Sequence, residues 1–205
     1  MDPKDIRKII KFLHVAENLK KALRYGHTKR VVKDSAADHT WRLSLMVVLF
    51  AEKNIDLQKA LKISIVHDLP EALAGDVDAY LIHKGMASKD DKKRKELNAM
   101  KRFEKMLPKK YGKEIFGLWK EYEDGKTKEA RFVKALDKFE TILHITRSDL
   151  LSVVGPKFHD FSFIAHYGDN AVKNYPKLKG IYVEVKKELK VGYKRAKVKW
   201  VNKYG

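Results

Sequence analysis

Residues 65–76 read IVHDLPEALAGD and gather one imidazole and three carboxylates, His67, Asp68, Glu71 and Asp76, at the end of an apolar stretch. Ionisable groups in apolar surroundings are costly unless paired, hydrogen-bonded or bound to a metal. Leu57, Leu61, Ile65 and Val66 lead into the block on a helix that Asp56 or its neighbour opens. Pro70 lacks a backbone N–H, so this helix ends there and a short one begins, closed by Gly75. Asp68 and Glu71 are three apart, the spacing of one helical face, which Pro70 interrupts.

Two groups further out extend this set. His39 starts an apolar helix over 38–53, with Ser35 and Asp38 both able to cap it. Asp137 lies in FVKALDKFETIL, where Phe132, Leu136, Phe139 and Leu143 form an apolar face. Val133, four residues before Asp137, places that acid at the border of the face. Taken singly, His39 reads better as a helix-start capping or surface residue, Asp137 as a solvated polar-face acid, and His67-Asp68 as chance adjacency. Taken together, two imidazoles and two carboxylates suit a divalent transition metal such as Zn, Mn, Co or Ni. Four protein ligands in an octahedral shell leave positions open for water or substrate.

The rest of the chain also reads as helical. Ile6, Ile9, Ile10, Leu13, Ala16 and Leu19 give Asp5–Lys21 a 3.6-residue period. Arg24–Asp34 is basic and irregular and reads as a loop. Residues 84–95 read as a polar loop and helix start, continued by a helix over Glu96–Leu107. Pro108 and Gly112 punctuate before another helix at Glu114–Glu123. Lys128–Ser148 is strongly periodic, Gly155-Pro156 marks a loop, and Phe158–Lys190 reads as one or two weaker helices. The tail, 191–205, fits a short strand, a frayed helix or disorder.

The chain has 205 residues, enough for one domain with a sizeable core. It has no cysteine, which excludes a disulfide framework, a Cys-based zinc site and a thiol nucleophile. No apolar run approaches a membrane span, and MDPKDIRKII carries charges where a signal peptide needs its apolar core. A soluble, cytoplasmic protein is expected. The net charge is +18, and residues 171–205 hold eleven Lys/Arg against two acids. Such charge attracts nucleic acid, anionic membranes or phosphorylated ligands, and it also fits a Lys/Glu-rich, heat-adapted surface. SKDDKKRKE (88–96) reads better as a solvated helix start than as a nucleic-acid arm. Tyr193, Trp200 and Tyr204 interleave with basic residues; packing is the simpler reading, base stacking the alternative. Gly125-Lys126-Thr127 resembles the end of a P-loop, but the required earlier glycine is Lys120. His14, His83, His144, His159 and His166 lack partner spacing and read as structural or surface residues.

SAADHTWRLS (35–44), HDLPEALAGD (67–76) and EARFVKALDKFE (129–140) closely resemble the HD-domain 5'-deoxynucleotidases, the YfbR-like family of metal-dependent phosphohydrolases. LKKALRYGHTKRVV (19–32) and LWKEYED (118–124) fit as well. The resemblance spans residues 5–150, and 151–185 more weakly. It implies an all-α HD-domain helical bundle over 1–185 with a basic C-terminal extension over 186–205. It implies His39, His67, Asp68 and Asp137 as ligands of a divalent ion, whether Mn, Co, Zn, Ni or Mg. Glu71 matches the acid that activates water, and Asp76 the acid placed near the 5'-oxygen. Arg24 and Arg30 fall in the block for phosphate contact and sugar discrimination. Tyr25 and His27 stand there where the family usually has Trp. Glu121 falls in a block that reaches the nucleotide. The implied activity is hydrolysis of deoxyribonucleoside 5'-monophosphates by a homodimer, with no membrane or nucleic-acid partner. Another small phosphate ester, or nucleic-acid binding on an HD fold, are the alternatives.

Overall fold

The computed structural model describes residues 1–24, 34–147 and 162–200. Asp2 caps helix α1 (Pro3–Ala16) by accepting from the Lys4 amide at 3.0 Å. A turn over Glu17–Lys20 leads to β1 (Leu23–Arg24), which pairs antiparallel with β2 (Asp34–Ser35). The expected loop between them thus starts and ends in a ladder that sets Arg24 beside Asp34. Helices α2 (Ala36–Phe50) and α3 (Leu57–Val66) follow, the second capped by Asp56. After Pro70 comes the short α4 (Glu71–Ala74), ended by Gly75 at φ +73°, where a side chain would be strained.

The chain continues through α5 (Ala79–His83), α6 (Lys89–Met106), α7 (Lys109–Asp124) and α8 (Lys128–Arg147). Then come α9 (Ser162–His166), α10 (Asp169–Asn174) and α11 (Lys179–Arg195). Helix α6 begins earlier than the polar run suggests. Ser88 accepts from the Asp91 amide at 3.2 Å, and Asp90 and Asp91 favour the positive end of the helix dipole. Gly112 does not break the chain but lies inside α7. A Cβ there would sit 2.3 Å from the Glu104 carbonyl oxygen, so glycine permits the close approach of α6 and α7. Helix α11 runs through Arg195 with Leu189 and Tyr193 in the core, so the expected boundary at 185/186 falls inside it.

Two apolar clusters hold the bundle. One surrounds α8 with Leu43, Val47, Ile63, Phe132, Leu136, Phe139 and Leu189. The other joins α1, α4, α6 and α7 through Phe12, Ala72, Met100, Phe103 and Trp119. Helix α3 serves both, Ile63 in the first and Val66 in the second. The residues after Val66 therefore leave α3 where the clusters meet. No described helix is long and apolar enough to cross a membrane.

Candidate active site

A capping box fixes the first turn of α2. The Asp38 amide donates to Ser35 Oγ at 3.1 Å, and the Ser35 amide to Asp38 Oδ2 at 3.0 Å. His39 is the next residue and points inward, 1% exposed. His67 and Asp68 follow α3, and Asp137 projects from α8. His39 Nε2 lies 3.2 Å from both His67 Nε2 and Asp137 Oδ1. Asp68 Oδ2 is 3.1 Å from His67 Nε2 and 3.7 Å from His39 Nε2. His39, His67 and Asp137 form a buried group able to hold a metal ion, and Asp68 stands beside them.

The outer atoms determine what the inner ones offer. His67 Nδ1 donates to the Ser64 carbonyl at 2.7 Å, and His39 Nδ1 donates to Glu140 Oε2. A neutral imidazole protonated at Nδ1 presents a lone pair at Nε2. Asp137 Oδ2 accepts from Tyr122 and Lys138, each at 2.9 Å, which leaves Oδ1 inward. Four acceptor atoms thus face one another and demand positive charge between them. Burial and Arg24 pull the His39 pKa down, but hydrogen bonds with Asp137 and Glu140 prevail and hold it at about 9. A proton answers the demand in part; a divalent cation answers it more fully. Nitrogen and carboxylate donors of this kind fit such an ion, and their outer partners orient them.

These groups line a cavity of about 540 Å³, with Glu71, Asp76 and Lys92 also on its wall. Glu71 is buried; its Oε1 lies 3.7 Å from Lys92, and its Oε2 has no hydrogen-bond partner among the described residues. Burial, with the charges of Asp68 and Asp76 adding, pushes the Glu71 carboxyl well above the usual range. Burial also raises Asp76, against the pull of Lys92. Two acids whose surroundings favour the protonated form therefore border the donor set. Tyr80, His83 and Phe163 give the cavity an aromatic wall, where His83 stacks on Phe163 at 4.5 Å between centroids.

The other expected contacts are placed differently. Arg24 lines the cavity, but its guanidinium donates to Asp34 and Glu140 at 3.1 Å each and to Thr141 at 2.9 Å. Glu121 is held by Lys59 at 2.7 Å and Thr127 at 2.5 Å, while its neighbours Tyr122 and Glu123 line the cavity instead. Tyr25, His27 and Arg30 lie outside the described residues. Sequence reasoning missed Glu140, which accepts from His39, Arg24 and Arg42, the last through Nε at 2.8 Å. It missed Tyr122, Lys92, Lys134 and Lys138 too. A signal existed on α8: Asp137, Glu140, Thr141 and His144 recur at helical spacing, and all are buried.

Hydrolysis of a phosphate ester in this manner needs a held divalent ion, an exchangeable proton beside it and cations in reach of the phosphate. The site offers a donor group able to hold such an ion, buried acids beside it and lining cations, and with the fold these define an HD-domain metal-dependent phosphohydrolase. A profile of the HD domain matches residues 16–167. The chain is 30% identical over 185 residues to 5'-deoxynucleotidase HDDC2 of Homo sapiens, covering 89% of this chain and 86% of that protein. It is 37% identical over 144 residues to the Dictyostelium discoideum 5'-deoxynucleotidase HDDC2, covering 65% and 74%. The crystal structure of a "predicted metal-dependent phosphohydrolase" from Magnetospirillum magnetotacticum MS-1 shares the fold with a TM-score of 0.71. It is 24% identical and spans 95% of this chain and 98% of that one. The chain belongs to the HD-domain family, within the group of the HDDC2-like 5'-deoxynucleotidases.

Proposed function

We propose that the protein hydrolyses deoxyribonucleoside 5'-monophosphates to a deoxynucleoside and inorganic phosphate. The observation that carries this reading is the buried Glu71 Oε2, without a hydrogen-bond partner among the described residues, near the His39–His67–Asp137 group, in a chain whose relatives are named 5'-deoxynucleotidases. His39, His67, Asp68 and Asp137 would hold a divalent ion. When bound, a divalent ion supplies Lewis-acid polarisation of the phosphoryl group and of water. Glu71 accepts a proton from the attacking water, whose oxygen forms the new bond to phosphorus. Asp76 enters the step protonated and gives its proton to the 5'-oxygen as the old P–O bond breaks. The aromatic wall of Tyr80, His83 and Phe163 receives the nucleoside. Residues 19–32, with Tyr25 and His27 in place of the family's Trp, contribute the filter at the 2'-position.

The test is phosphate release from dAMP and AMP, on chelated protein reloaded with Mn, Co, Zn or Mg. Metal-dependent turnover that favours dAMP is expected. Equal turnover would remove the sugar filter. No turnover of either would shift the assignment to another phosphate ester.

We infer that two copies associate through α2. Trp41, Leu45, Val48 and Leu49 recur on one face and are 69%, 45%, 50% and 67% exposed, with Ile65 of the adjacent α3 also exposed. A contiguous apolar patch of this kind marks an association surface. Sedimentation should show a dimer that Trp41→Glu with Leu49→Glu converts to monomer; a monomeric parent protein would refute the pairing.

A further inference from the structure

A phosphate monoester enters as a dianion, so the cavity must meet it with cations. Arg24, Lys89, Lys92, Lys93, Lys134 and Lys138 line the cavity. Three of them are already committed. Arg24 is bound to Asp34, Glu140 and Thr141. Lys138 donates to Asp137 at 2.9 Å and to Tyr167 at 3.1 Å. Lys92 lies 3.7 Å from Glu71 and 3.6 Å from Glu96, and it donates to the Val77 carbonyl at 3.3 Å. Lys89 and Lys93 are exposed to solvent.

Lys134 differs from all of these. It is half-buried and has no carboxylate at ion-pair distance among the described residues. Its Nζ lies 4.0 Å from the centroid of the Tyr122 ring. That same ring packs edge-on against His67 at 5.1 Å, and its hydroxyl donates to Asp137. The ammonium is therefore one ring away from two of the inner donors. It stands one turn before Asp137 and Lys138 on α8, the spacing that brings side chains to a common face. Space for its stem comes from Gly125 at the end of α7, where a Cβ would lie 3.3 Å from Lys134 Cε. Burial lowers the Lys134 pKa, and the charge of Lys138 adds to it, against the more distant carboxylates of Glu123, Asp137 and Asp68. A cation in this state gains most from an arriving anion.

We propose that Lys134 is the cation that receives the substrate's phosphate, in the role the sequence resemblance implies for Arg24. The face of Tyr122 steers the ammonium without neutralising it, because a ring quadrupole attracts a cation but carries no net charge. Arg24 acts instead as a positioning residue, through Glu140 and on to His39. The inference rests on the phosphomonoesterase reading of the same cavity, and the test separates the two.

The experiment compares the full-length protein, Lys134→Met and Lys134→Arg, each loaded with the metal that best supports turnover. One charge-assisted hydrogen bond lost corresponds to about tenfold to hundredfold in affinity. The KM for dAMP should rise by that factor in Lys134→Met. Inhibition by inorganic phosphate should weaken equally, while inhibition by uncharged deoxyadenosine should stay constant. Lys134→Arg should recover most of the loss. Calorimetric titration with inorganic phosphate gives a readout independent of turnover. An unchanged KM and unchanged phosphate binding in Lys134→Met would overturn the inference. So would parallel weakening of phosphate and deoxyadenosine, which would signify a distorted cavity. A parent protein that releases phosphate from no monoester would defeat the functional reading itself.

Discussion

Helices α8 and α11 pack against each other, yet they treat charge in opposite ways. Helix α8 is enclosed, and Asp137, Glu140, Thr141 and His144 are buried along it among Phe132, Leu136, Phe139 and Ile142. Its carboxylates have named partners: Tyr122 and Lys138 for Asp137, and Arg24, Arg42 and His39 for Glu140. Helix α11 buries Tyr182, Val185, Leu189 and Tyr193 on one face and leaves Lys179, Lys187, Lys190 and Lys194 in water. A solvated lysine costs little and contributes little. A buried carboxylate is sustained only by an arrangement that answers its charge. The acids of α8, rather than the more numerous lysines of α11, therefore locate the chemistry.

That contrast can be tested from both helices. Asp137→Asn keeps the shape and removes an inner charge; metal-dependent phosphate release should fall by roughly a thousandfold or more, with the helical circular dichroism spectrum intact. Retained turnover would take Asp137 out of the donor set. Leu189→Ala should cost about 2–5 kcal/mol of stability in urea denaturation and leave metal affinity nearly unchanged. A loss of metal binding at equal fold stability would mean that α11 supports the site directly. Glu140→Gln should weaken metal binding by about tenfold to hundredfold in calorimetry, since Glu140 orients His39. Unaltered affinity would separate the outer acid from the inner ligands. Lys187→Ala should stay within about 0.5 kcal/mol, and any larger loss would blur the distinction between the two helices.

The apolar period of α8 is plain in the sequence, and so is the HD dipeptide at the end of α3. His39, His67 and Asp137 could be selected because each is an ionisable group set in an apolar helix. Glu140 could not be distinguished in this way. A glutamate three residues after an aspartate fits a solvated helix face equally well, and only the packing of α2, α3, α7 and α11 around α8 removes that option. Arg24 shows the same limit. Its basic character is legible, but its partners Glu140 and Thr141 come from more than a hundred residues away. Gly112 signals a break by local propensity, yet it is the close pass of Glu104 that requires a residue without a side chain. Lys134 is one lysine among many in the sequence, and it becomes distinct only through its place over the Tyr122 ring with no carboxylate at ion-pair distance among the described residues.

The enclosure of α8 also has a consequence in time. Its amides are covered on several sides by other helices, with Phe132, Val133, Leu136, Phe139 and Ile142 fully shielded. Segments of that kind release their protons to solvent only when the whole molecule opens, whereas termini and short surface helices exchange through local fluctuations. Deuterium would thus reach the Asp137–His144 turns after α5 and α10 had long been labelled. The segment that carries Asp137 is the one whose isotopic memory should last longest.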